Sequence, residues 1–139
     1  MDCFDADVLI YAAVPGHPLG RRVAALFNAA GSGVLAGAGS VLLLPEVLSK
    51  PLRDGTPDEV RALAGLLARL DLRPVDRTTA ELATALSSRY RLRAADATHL
   101  ATAVSLGADR FITNNQRDFS GTITEIGITY PADLRGPTA

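Results

Sequence analysis

The stretch FDADVLIYAA, residues 4–13, sets two carboxylates, Asp5 and Asp7, at the end of a short apolar run. Three more acids lie in apolar surroundings: Glu46 within VLLLPEVL, Asp96 within RAADATHLATAV, and Asp118 beside Phe119. A charge on an apolar helix costs on the order of several kcal/mol to bury unless it is paired or metal-bound. Taken singly, each acid has a plain structural explanation. Asp7 could cap a helix, and Asp96 could serve a helix N-terminus, where a carboxylate is stabilised. Glu46 could be partly exposed, and Asp118 could be a solvated loop acid. Taken as a set, they point to chemistry. Several carboxylates with no cysteine or histidine cluster suit hard cations, chiefly Mg²⁺ or Mn²⁺. Such ions bridge phosphates and activate water for in-line displacement; two-metal sites hold them about 3.5–4 Å apart. Without a cation the carboxylates would repel one another. The set therefore implies a divalent metal and a phosphoryl or phosphodiester substrate.

The elements that must position these acids alternate between strand and helix. Residues 2–5 read as a strand, followed by Val8, Tyr11 and Ala12 at helical spacing. HPLGRRVAALFNAAGSG reads as a helix stopped by glycines, and GVLA as a short strand. Ser40 is placed to cap the helix VLLLPEVLSK, with Pro45 as a kink point. TPDEVRALAGLLARL opens with a capping box: Thr56, Pro57 and Glu59. Its apolar face is Val60, Leu63, Ala64, Leu67 and Leu70. LRPV is a strand candidate, and TTAELATALSSRY repeats the capping box with Thr78 and Glu81. ADATHLATAVSLGA is a helix ending at Gly107, RFIT a strand, and ITEIGITY contains one more. The expected class is an α/β domain with a largely parallel sheet. In such a sheet ligands bind outside the carboxyl ends of the strands. Asp5 sits at one such end, and Asn114, Asn115 and Asp118 follow another.

Composition limits the other possibilities. The 139 residues, 47% apolar and 21% charged, suit one globular domain. No apolar run approaches the roughly 18 residues of a membrane span, and no basic leader precedes an apolar segment. Cys3 is the only cysteine and is expected to pack as a small apolar residue. These points favour the cytoplasm. The net charge of −1 gives no global nucleic-acid signature. Every basic residue except Lys50 is arginine, which fits either a codon bias or phosphate recognition by the guanidinium fork.

FDADVLIYAA resembles the opening motif of PIN-domain nucleases, in which an apolar strand ends in Asp ahead of an aliphatic helix. LLLPEVLSKP resembles their second motif, which carries Glu. LRAADATHLATAVSLGADRFITNNQRDF resembles their third and fourth motifs almost along its length. The resemblance runs in order from residue 2 to about residue 130, and the size is similar to VapC-type toxins of type II toxin–antitoxin pairs. It implies a PIN-like three-layer α/β/α fold with a central, mostly parallel sheet of about 4–5 strands over residues 1–139. It also implies Mg²⁺-dependent RNA hydrolysis, with Mn²⁺ as a substitute, a cognate antitoxin and a homodimer. Residue by residue, Asp5 matches the first family Asp, Glu46 the Glu and Asp96 the third acid. Asp5 and Asp96 would hold the principal metal, helped by Glu46 and Asp118. The fourth motif departs: many members have Thr-Asn-Asp, where this chain has Thr113, Asn114 and Asn115. Either Asn115 or Asp118 fills that position. Asp7 takes a supporting role, and Thr113 and Asn114 shape the rim.

Arg89, Arg91 and Arg93 precede Asp96 and could hold RNA phosphates; equally, they could complement a helix C-terminus. His99 lies on roughly the same helix face as Asp96 and reads mainly as a packed or hydrogen-bonded residue. His17 receives no role. One rival is a haloacid-dehalogenase-type phosphatase with Asp5 as nucleophile and Asp7 as acid/base. That class needs a later Lys or Arg and a further acidic pair, and Lys50 lies in the wrong context. A receiver domain lacks its lysine for the same reason. A third alternative is a PIN-fold binding protein that has lost activity, suggested by Asn115.

Overall fold

The computed structural model describes residues 1–135. Five strands and six α-helices alternate: β1 (Asp2–Phe4), α1 (Ala6–Ala13), α2 (Pro18–Ala30), β2 (Gly37–Ser40), α3 (Leu43–Asp54), α4 (Pro57–Leu67), β3 (Leu70–Arg73), α5 (Arg77–Tyr90), α6 (Ala94–Leu106), β4 (Arg110–Ile112) and β5 (Gly127–Thr129). A short 3₁₀ turn at Pro131–Asp133 follows. The strands form one sheet in the order β3-β2-β1-β4-β5. Every pairing is parallel.

The period-two alternation of strand side chains divides the core in two. Phe4 and Ile112 face one way and pack with Val8, Leu9, Val23, Phe27, Leu43, Leu63 and Leu67 from α1–α4. Cys3 and Phe111 face the other way and pack with Leu86, Leu100, Ala101 and Phe119. The expected three-layer α/β/α architecture results. Cys3 is buried as a small apolar residue, and burial pushes its thiol up to about 12. No helix among the described residues is long and apolar enough to cross a membrane.

Several local expectations are corrected. The second strand is GAGS at 37–40, not GVLA; Val34 and Leu35 are exposed. Propensity favours the branched residues, but β2 runs where space is lacking. A Cβ on Gly37 would lie 2.4 Å from the Asp2 carbonyl oxygen. Ser40 therefore ends a strand rather than capping α3, although its Oγ still accepts from the Leu42 amide at 3.1 Å. Pro45 lies in the first turn of α3, and the interior proline is Pro51. The third strand starts at Leu70, ahead of LRPV. The α5 cap is Asp76, which accepts from the Thr79 amide at 2.8 Å, so Thr78 lies inside the helix. At α4, Thr56 and Glu59 meet through their side chains at 3.2 Å, but Thr56 makes no cap bond to the backbone.

Candidate active site

The carboxyl edge of the sheet gathers the acids because each follows a strand or begins a helix there. Asp5 is the first residue after β1 and caps α1 with extended backbone, φ −82° and ψ 163°. Its Oδ1 accepts from the Ala6 amide at 2.9 Å, and its Oδ2 from Thr113 Oγ1 at 2.8 Å. Asp5 is 5% exposed. Burial raises its carboxyl, opposed by His99 and by the bonds from Thr113 and Ala6.

Asp7, in the first turn of α1, accepts from the Asn114 amide at 3.1 Å through Oδ2. Its Oδ1 is buried and has no hydrogen-bond partner among the described residues. Burial, then the charge of Asp5, pushes the carboxyl up to about 7. Asp7 thus fastens α1 to the loop after β4, and the helix cap is Asp5 instead.

Helix α6 ends where β4 begins, so it runs back across the sheet and presents its N-terminus at the carboxyl edge. Asp96 is in that first turn, where free N–H groups favour a carboxylate. Its carboxyl is raised by burial and by Asp5, Asp118 and Glu46. Glu46 opens α3 just past β2, with its side chain 33% exposed. His99, one turn after Asp96, is buried with Nε2 3.1 Å from Glu46 Oε1. Neither ring nitrogen makes a regular hydrogen bond among the described residues. Burial alone would lower the imidazole. Glu46, Asp5 and Asp96 outweigh it and raise it.

The loop after β4 ties the two candidates for the fourth position together. Asn115 donates from Nδ2 to Asp118 Oδ2 at 2.9 Å and accepts the Asp118 amide on Oδ1 at 3.2 Å. Asn115 Oδ1 and Nδ2 are thus both engaged with Asp118. Phe119 pins the end of the loop, buried 5.1 Å from Phe111. Asn114 also reaches Tyr11 Oη at 3.4 Å from Nδ2.

The three arginines occupy different surroundings. Arg89 donates to Glu125 at 3.4 Å and lies over the Tyr90 ring. Arg91 follows α5 in a left-handed conformation, and Arg93 precedes α6. Arg89 and Arg91 border a polar cavity with Arg117 and Asp118; Arg93 does not. Sequence reasoning passed over Arg117, although it adjoins Asp118 in NNQRDF. It also gave His17 no role. His17 caps α2 by accepting from the Gly20 amide at 3.1 Å and stacks on Tyr11.

Among the described residues, no three carboxylate, thiol or imidazole groups close on one point tightly enough to enclose an ion. The donor set nonetheless suits a hard divalent cation. Asp5, Asp96, Glu46 and Asp118 supply only oxygen, the carboxyls of Asp5 and Asp96 are raised by burial and by neighbouring acids, and the orphaned Asp7 Oδ1 sits beside them. A cation would relieve this accumulated negative charge.

The PIN domain family model matches residues 3–122, a span that contains all four acids. The chain belongs to the PIN domain family. The phosphatase and receiver alternatives end there. Solved structures that share this fold include toxin–antitoxin assemblies. A toxin–antitoxin complex from Klebsiella pneumoniae is 25% identical, with 94% of this chain and 98% of that one covered at a TM-score of 0.71. VapBC2 from Rickettsia felis bound to a promoter DNA fragment is 17% identical, covering 93% and 97%, at 0.72. FitAB bound to the IR36 DNA fragment is 19% identical, covering 97% and 98%, at 0.67. No curated protein matches the chain by sequence.

Proposed function

We propose that this PIN domain, residues 1–139, is a cytoplasmic Mg²⁺-dependent endoribonuclease, with Mn²⁺ able to substitute. In this reading it is the toxin of a type II toxin–antitoxin pair, and it acts as a homodimer held by a cognate antitoxin. The observation that carries the reading is electrostatic. Asp5, Glu46, Asp96 and Asp118 come from four separate segments, and the carboxyls of Asp5 and Asp96 are raised with neighbouring acids among the causes.

Asp5 and Asp96 would hold the divalent cation, and Glu46 and Asp118 would complete the acidic wall. A bound divalent cation supplies positive charge to the phosphodiester and lowers the pKa of the attacking water. The protein's part is to keep these carboxylates in place. Thr113 and the Ala6 amide fix both oxygens of Asp5. Asn115 aims Asp118, and Asp7 locks the Asn114 backbone against α1. His99 partly balances Glu46 from behind. The toxin reading is supported by likeness to the Klebsiella toxin–antitoxin complex over nearly the whole of both chains.

The test is purified, partner-free protein with total bacterial RNA, in Mg²⁺ and in EDTA, beside the Asp5→Asn and Asp96→Asn variants. Discrete fragments that need metal and vanish in both variants are expected. A folded wild type that neither cleaves RNA nor binds Mn²⁺ would sink the reading in favour of an inactive binding module.

A further inference from the structure

Beside the carboxylates lies a polar cavity of about 380 Å³, bordered by Arg89, Arg91, Arg117, Asp118, Ser120 and Thr122. Asp118 belongs both to this cavity and to the acidic site, so the two spaces share a wall. Arg89 is occupied by Glu125. Arg91 and Arg117 have no acceptor for their guanidinium groups among the described residues, and both are exposed.

The backbone at Arg91 is the second observation. Its φ is +56° and ψ 42°, and it is the only non-glycine residue with positive φ among the described residues. Glycine is favoured where a helix ends in this conformation. The chain uses glycine in just this way at Gly55 after α3 and Gly107 after α6. At α5 it keeps an arginine instead, against the local preference. Non-glycine residues held in this region gather at binding sites, where the side chain has a use that outweighs the strain.

We propose that Arg91 and Arg117 form a phosphate subsite that grips the RNA backbone next to, but not at, the bond being cut. The inference rests on the nuclease reading for its ligand. The guanidinium fork matches phosphate oxygens. Contacts of this kind set register without reading sequence. A strand crossing the acidic site would pass Asp118 and enter this cavity, where two free cations offset the carboxylate they border.

The experiment is binding of a fluorescein-labelled, mixed-sequence oligoribonucleotide in EDTA, across a salt series. Wild type is compared with Arg91→Gly and Arg117→Gln, and each protein's melting temperature is recorded. Each variant is expected to bind about tenfold more weakly, near the low end of what one charge-assisted hydrogen bond contributes. The salt slope is expected to fall by about 0.7 per lost phosphate contact. Arg91→Gly should melt at or above the wild-type temperature, because glycine suits the positive φ. A merely structural Arg91 would not give weaker binding in a protein at least as stable.

Unchanged affinity and salt slope in both variants would overturn the subsite, as would a wild type that binds no RNA. If wild type still cleaves RNA in Mg²⁺ while the arginine variants bind normally, the subsite falls and the nuclease stands. If binding depends on the arginines but nothing is cleaved, the nuclease falls and the subsite stands.

Discussion

Asn115 grips Asp118 at two points, donating to its carboxylate at 2.9 Å and accepting its backbone amide at 3.2 Å. Asn115 thus holds in place the acid three positions later. Its loss should loosen the site without loosening the fold. Asn115→Ala is expected to lower metal affinity and cleavage by about 10–100-fold, the usual effect of removing a partner that orients a metal ligand. Manganese titration and a melting curve check this. An unchanged affinity would mean that Asp118 needs no aiming.

Asp5 serves both the fold and the proposed chemistry, and two substitutions separate these. Asp5→Asn keeps an oxygen that can accept from Ala6 and loses the charge, so metal-dependent cleavage should vanish while the fold persists. Asp5→Ala also loses the α1 cap and should cost a further ~1 kcal/mol of stability. Urea denaturation of both variants, beside RNA cleavage, distinguishes the two effects.

A pH dependence follows from Asp7. Its carboxyl is pushed up to about 7, first by burial and then by Asp5, whereas an unfolded Asp titrates near 3.9. Between roughly pH 4 and 7 the folded state therefore binds more protons than the unfolded one, and stability falls as pH rises through that window. Asp5 and Asp96, also raised, act in the same direction. His99, raised by its acidic neighbours, adds to the loss only above about 6.5. In EDTA the urea midpoint is expected to drop across this range. Saturating Mg²⁺ should flatten the curve, and Asp7→Asn should reduce its slope.

The contact between α1 and α2 depends on one missing side chain. A Cβ at Gly20 would stand 2.0 Å from the Tyr11 carbonyl oxygen, a backbone atom that cannot swing aside. Gly20→Ala should destabilise by about 1–3 kcal/mol or more, in the range of overpacked cores. Helix propensity alone would favour alanine, so even the sign of the measured change is informative.

Much of this was legible in the chain itself, for identifiable reasons. Asp5, Glu46, Asp96 and Asp118 stood out because charges in apolar runs need explaining, and the structure brings them to one edge of the sheet. The parallel sheet followed from alternating periods. The second strand was missed because GAGS has almost no strand propensity. It forms because only small residues fit between Asp2, Phe4 and Leu43. The start of α5 was misplaced because Asp76, Thr78 and Thr79 all carry capping groups, and sequence alone does not say which one bonds. Arg117 was overlooked because no periodicity reports which cation lines a cavity.

The bond from Thr113 to Asp5 joins residues 108 positions apart. The central strand β1 gains its β4 neighbour only when residues 110–112 exist, and Asp96 and Asp118 are likewise late in the chain. During synthesis on the ribosome, the first carboxylate therefore waits for the last ones. A nascent chain thus lacks the complete acidic centre until Asp118 has been made, long after Asp5 has left the ribosome.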